Sequence, residues 1–115
     1  MNFKKCLSFD DVLLVPKMSN ISSRSEISVG TNLGDGILLN LPIISSPMDT
    51  VTEERMAVAM DSNGGLGIIH RYNTIERQCE LVKESINSGA YHVGAAIGVS
   101  GDYIERAREL VRSGA

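Results

Sequence analysis

The 115-residue chain has no tryptophan, and aromatic residues make up only 4% of it. That argues against the stacked aromatic platforms on which single-stranded nucleic acids are held. A basic excess is also missing: 11 Lys and Arg stand against 14 Asp and Glu, for a formal net charge of -3. A nucleic-acid-binding face shows the opposite balance. No apolar run approaches the roughly 18 residues that a membrane-spanning helix needs. Two lysines lie near the N-terminus, but Ser8, Asp10 and Asp11 follow where a secretory signal has its apolar stretch. Cysteine is scarce. Cys6 and Cys79 are too far apart for a metal-binding or redox motif. The expectation is a reducing, cytoplasmic protein, with a disulfide between the two as the alternative.

What is present is ordinary for a globular protein: 43% hydrophobic and 22% charged residues, in a length that fits one small domain. The chain divides in two. Residues 1–40 form an irregular N-terminal arm rich in Ser and Asn. Residues 41–115 alternate between short apolar runs and stretches of helical spacing. The runs, near 42–46, 66–70 and 92–99, do not alternate apolar with polar, which suits strands covered on both faces. Helices are predicted near 51–62, 74–88 and 102–113. Thr50 and Glu53 read as a capping box, and Asn73-Thr74 and Asp102 as further starts. The apolar stripes are Ile75, Cys79, Val82 and Ile86 in the second helix, and Ile104, Ala107, Leu110 and Val111 in the third. Gly64, Gly89 and Gly114 sit where helices stop.

The order βα, βα, βα implies a parallel sheet with right-handed crossovers. A doubly wound sheet and a (β/α)8 barrel both fit, and both place working residues at the carboxyl ends of the strands. Those ends are Ser46 to Asp49, His70 to Asn73, and Gly98 to Asp102. A barrel needs about 250 residues, so three units read as the opening portion of a larger domain.

Among the candidates, Arg71 is the most suggestive, because a guanidinium at a strand end can grip a phosphate with two parallel hydrogen bonds. The glycines at 94, 98 and 101 read as close packing and a turn, with a phosphate cradle as the alternative. His70, His92 and Asp49 read as structural. Cys79 falls in an apolar stripe and reads as packing. Cys6 has no histidine near it in sequence, so neither cysteine reads as a nucleophile.

Four segments together resemble the IMP dehydrogenase/GMP reductase family. Leu7-Ser8-Phe9-Asp10-Asp11-Val12-Leu13-Leu14-Val15-Pro16 is similar to its N-terminal signature. Ile44-Ser45-Ser46-Pro47-Met48-Asp49-Thr50-Val51-Thr52-Glu53 resembles its first barrel strand and helix start. Gly64 to His70 and Val93 to Val99 resemble its second and third strands. The resemblance implies a (β/α)8 barrel, usually a homotetramer, that binds a purine nucleotide (GMP or IMP) and a nicotinamide cofactor. It implies a cysteine that attacks the purine ring, in the manner of nucleophilic catalysis, with hydride transfer to or from the cofactor. In the family that cysteine lies on a loop beyond the third βα unit, so no catalytic residue is assigned here. The 115 residues alone are expected to be inactive.

The resemblance carries over five positions. Ser46 and Met48 match residues that contact the nucleotide. Ser23 and Arg24 are similar to an arm motif that, in GMP reductases, reaches a neighbouring subunit's NADPH. Arg71 stands where the family usually has Lys, also beside the cofactor. Lys and Arg share a charge but not a shape. The segment Ser45 to Glu53 is closer to IMP dehydrogenases, which use NAD to oxidise IMP to XMP. Ser23 to Glu26 is closer to GMP reductases, which use NADPH to convert GMP to IMP. Most IMP dehydrogenases also insert paired regulatory CBS modules after the second helix, and only Asn87 to Tyr91 stands there here. The balance favours GMP reductase. A non-catalytic truncated product, or a half-barrel needing a partner, is a further alternative.

Overall fold

The computed structural model describes residues 4–115. Strands β1 (Thr31–Gly34) and β2 (Ile37–Leu39) precede a regular series of β3 (Ile44–Ser45), α1 (Glu54–Ser62), β4 (Leu66–Ile69), α2 (Ile75–Asn87), β5 (Gly94–Ala95) and α3 (Tyr103–Arg112). The last three strands form one sheet in the order β3-β4-β5, and both pairings are parallel. Ile44 pairs with Leu66, and Ile68 with Gly94. The α/β alternation read from sequence is therefore present. The ladders are shorter than predicted. Pro42 and Pro47 bracket β3, and proline has no N–H to give to a ladder.

Residues 31–39, read from sequence as irregular, pair as an antiparallel hairpin. Its two-residue turn is Asp35-Gly36, with φ of 48° and 85°. Positive φ at both turn positions matches the twist of the flanking strands, and Asp-Gly is a favoured pair for it. Residues 4–36 are exposed throughout. The Cα radius of gyration is 18.2 Å, against roughly 13 Å for a compact domain of this length. The arm thus extends away from the packed unit. Both cysteines are free, Cys6 exposed and Cys79 buried.

The core lies where the helices meet β4 and β5. Ala57 from α1, Ile69 from β4, Cys79, Leu81 and Val82 from α2, Val93 beside β5, and Leu110 from α3 form one cluster. Gly67 allows the closest approach. A Cβ there would stand 2.5 Å from the Ala57 Cα, so α1 lies directly on the β4 backbone. The glycines after α1, α2 and α3 all have positive φ, as helix C-termini favour.

The helix starts differ in part from the sequence reading. Thr74 caps α2, accepting from the Arg77 N–H at 3.2 Å. The box at Thr50 and Glu53 does not form. Glu53 is itself the N-cap of α1 and makes no side-chain cap bond, while Thr52 turns inward and is fully buried. Asp102 precedes α3 without capping it, because Arg106 occupies its carboxylate. In the stripes, Ile104 and Val111 are largely exposed, while Gln78, Ser85 and Arg106 are buried.

A carboxylate fixes the connection between α2 and β5. Asp61, near the end of α1, accepts from the backbone N–H of Tyr91 at 2.8 Å and of His92 at 3.0 Å.

Candidate functional site

Parallel pairing brings the carboxyl ends of β3, β4 and β5 side by side. Each end is held by a different buried polar side chain.

At β3 the holder is Thr52. Its hydroxyl donates to the Ser46 carbonyl oxygen at 2.6 Å and lies 2.9 Å from Ser45 Oγ. The Met48 N–H donates to the same Ser46 carbonyl, and the Met48 carbonyl accepts from Val51 and Thr52. The turn from Ser46 to Thr52 is thus closed on itself. It leaves the side chains of Ser46 and Met48 exposed beyond the strand.

At β4 the holder is His70, which is 3% exposed. Its Nδ1 accepts from the Tyr72 N–H at 3.2 Å, so the ring hydrogen is assigned to Nε2, which faces Glu53 Oε1 at 3.1 Å. The imidazole ties the β4 end to the start of α1. This is the structural role read from sequence.

At β5 the holder is Gln78, on α2 and fully buried. Its Nε2 donates to the carbonyls of Ile69 at 3.3 Å and Ala96 at 2.9 Å. Its Oε1 accepts from Arg106 Nη1 at 2.8 Å. Arg106 continues through Nη2 to the Asn73 carbonyl at 3.2 Å and to Asp102 Oδ2 at 2.7 Å. The Arg106 hydrogen bond, ahead of all other causes, holds the Asp102 carboxyl below its ordinary range. Neither Gln78 nor Arg106 was singled out from sequence. The signal was available in part, because both interrupt the apolar face of an amphipathic helix: Gln78 stands three residues after Ile75 and four before Val82, and Arg106 four before Leu110.

Arg71 leaves the end of β4 and crosses toward β5. A Cβ at Gly98 would sit 3.3 Å from its Nη1. Its Cζ lies 5.8 Å from the centre of the Tyr72 ring. Arg71 is exposed, and among the described residues no carboxylate stands within ion-pair distance of it. An exposed guanidinium resting on a glycine at a strand end suits an anionic group.

Ser23 and Arg24 lie elsewhere. They belong to a short 3-10 turn, Arg24–Glu26, in which Ser23 Oγ accepts from the Ser25 N–H. Both are exposed in the arm, and among the described residues no hydrogen bond ties them to the strand ends. Within the chain, then, Ser46, Met48 and Arg71 share one end of the sheet, and the arm pair stands apart. A cleft of about 560 Å3 opens between α1 and α2, but Ser46, Met48 and Arg71 do not line it. No cluster of three metal-ligating side chains occurs among the described residues.

The family described as the IMP dehydrogenase / GMP reductase domain matches residues 6–115. An inosine-5'-monophosphate dehydrogenase of Nitrosopumilus maritimus is 49% identical over 102 residues, covering 89% of this chain and 21% of its own length. A GMP reductase of Leishmania donovani is 46% identical over 78 residues, 68% of this chain and 16% of its own. An inosine-5'-monophosphate dehydrogenase of Korarchaeum cryptofilum is 41% identical over 111 residues, 96% of this chain and 23% of its own. The chain spans about a fifth of the length of these relatives.

Proposed function

Because the chain belongs to the IMP dehydrogenase/GMP reductase family, we propose that it forms the first βα units of a (β/α)8 barrel whose strand ends hold a purine nucleotide beside a nicotinamide cofactor. The observation that carries this reading is the parallel order β3-β4-β5, in which Ser46, Met48 and Arg71 follow the carboxyl ends of neighbouring strands. Ser46 and Met48 take the nucleotide side. Their turn is rigid through Thr52, and both side chains remain open to a ligand. Arg71 takes the cofactor side, where its exposed guanidinium fits a pyrophosphate or a carboxamide oxygen.

A bound nicotinamide cofactor supplies or accepts the hydride in such a reaction. The part of these residues is to orient and to neutralise charge. Ser23 and Arg24 are read as cofactor contacts made across a subunit interface in a homotetramer. Their exposure in an extended arm supports that reading, since the arm lies outside its own packed unit.

Of the two activities in the family, the reading favours NADPH-dependent reduction of GMP to IMP. The support is Ser23 to Glu26 and the short connection between α2 and β5. The second reading, NAD-dependent oxidation of IMP, is favoured by the segment from Ser45 to Glu53. Arg24 separates them. In the full-length protein, Arg24→Ala is expected to weaken NADPH binding by roughly ten- to a hundredfold, the value of a lost charge-assisted contact to a 2′-phosphate. NADH binding should change much less. Equal effects on the two cofactors would remove the phosphate-reading role and move the assignment to the dehydrogenase.

A further inference from the structure

We infer that Gln78 is a positioning residue for the cofactor side of the site. It fastens the end of β4 to the end of β5 and thereby holds Arg71 against Gly98. The inference rests on the reading of Arg71 as a cofactor contact.

The geometry is specific. Gln78 spends both amide hydrogens on carbonyls at adjacent strand ends, Ile69 closing β4 and Ala96 just past β5. The Ile69 carbonyl also accepts from the Ala96 N–H at 2.9 Å, so the two strands are joined there twice. Ile69 stands two residues before Arg71, and Ala96 two before Gly98. The Arg71 guanidinium lies against Gly98. The distance across this fastening therefore sets the surface on which Arg71 rests.

The residue type follows from the surroundings. Two carbonyl oxygens need a donor with two hydrogens, and Arg106 needs an acceptor. A carboxamide meets both needs, whereas a carboxylate would face the carbonyls with no hydrogen to give. A buried amide is costly unless all its groups are paired, and here they are. An apolar side chain of similar size would fill the space without that requirement. What it could not do is fix one alignment of the two strand ends. The β3 end is independent of this network, because Thr52 holds it.

That independence makes the inference testable. In the full-length protein, Gln78→Met keeps the length of the side chain and removes its hydrogen bonds. Binding of NADPH and NADH is expected to weaken about tenfold, with GMP and IMP binding unchanged within about twofold. In an Arg71→Met background the same change should cost the cofactor nothing further, since Gln78 acts through Arg71. Arg106→Lys gives a second route if Gln78→Met does not fold. It keeps a charge beside Asp102 but loses the planar fork that reaches Gln78, and the same split is expected. Equal losses for both ligands, or additive losses with Arg71→Met, would overturn the inference. Wild-type binding of cofactor with unaffected variants would overturn it alone. Absence of cofactor binding by the wild type would overturn the Arg71 reading, and this inference with it.

Discussion

Arg106 donates to Gln78 Oε1 at 2.8 Å, although the two residues are 28 positions apart and lie on different helices. Through that one bond the polar chain from Asp102 reaches the carbonyl ends of two strands. Arg106 is nearly buried, while its partner Asp102 is half-exposed. The charge is therefore neutralised at the rim, and the neutral amide carries the linkage inward.

This arrangement sets an acid dependence. Asp102 has its pKa lowered from the ordinary 3.8, first by the Arg106 hydrogen bond. A depressed carboxyl stabilises the fold fully above its unfolded value, and that contribution is lost as pH falls through the folded value. Glu76 and Asp11 are lowered as well, by hydrogen bonds at the start of α2 and from Ser8, and act with the same sign. Urea midpoints measured from about pH 5 down to about pH 2 should fall, and Asp102→Asn should flatten the slope. An unchanged slope in that variant would assign the acid sensitivity to other carboxyls.

Thr52→Val keeps shape and removes the hydroxyl that closes the Ser46 turn. The Ser46 carbonyl and Ser45 Oγ lose a buried partner, at a cost of about 1–3 kcal/mol by equilibrium denaturation. Nucleotide affinity should fall with it while cofactor affinity holds, the reverse of the pattern expected at Gln78. Thr52→Ser should restore most of both.

Gly67→Ala places a methyl 2.5 Å from the Ala57 Cα. The obstacle is backbone, so α1 must shift, and overpacking of this kind costs about 1–3 kcal/mol or more. Trimming the neighbour should not help: the double variant Gly67→Ala, Ala57→Gly is expected to melt no higher than Gly67→Ala alone. Recovery of the wild-type melting temperature would show that the side chain, not the helix axis, is the limit.

The alternation of strands and helices was legible because β4 and α2 carry strong local patterns: an unbroken apolar run, and a capped stripe ending in glycine. The hairpin is less legible although Asp35-Gly36 is a favoured turn pair, because all four residues of β1 are exposed and carry no apolar run. The capping box failed for a tertiary reason. Thr50 lies inside a turn closed by the Met48 carbonyl, and the Glu53 carboxylate faces His70 at the end of β4, which only the fold brings near. Ser46, Met48 and Arg71 could be placed at strand ends because parallel topology puts them there. Gln78 and Arg106 could not be paired from sequence, since charge and amide groups on a helix ordinarily face water. Their burial follows from two strands meeting at one place.

The two backbone bonds from Tyr91 and His92 to Asp61 lie after the α2 terminus and just before β5. They anchor the entry to β5 from its own side, whatever separates it from α2. Lengthening such a connection costs little, about 0.6 kcal/mol for each doubling. The connection between Asn87 and Tyr91 is therefore expected to act as a socket, with an insertion there leaving the register of β5 on β4 unchanged. The same carboxylate would serve a long connection as well as the short one found here.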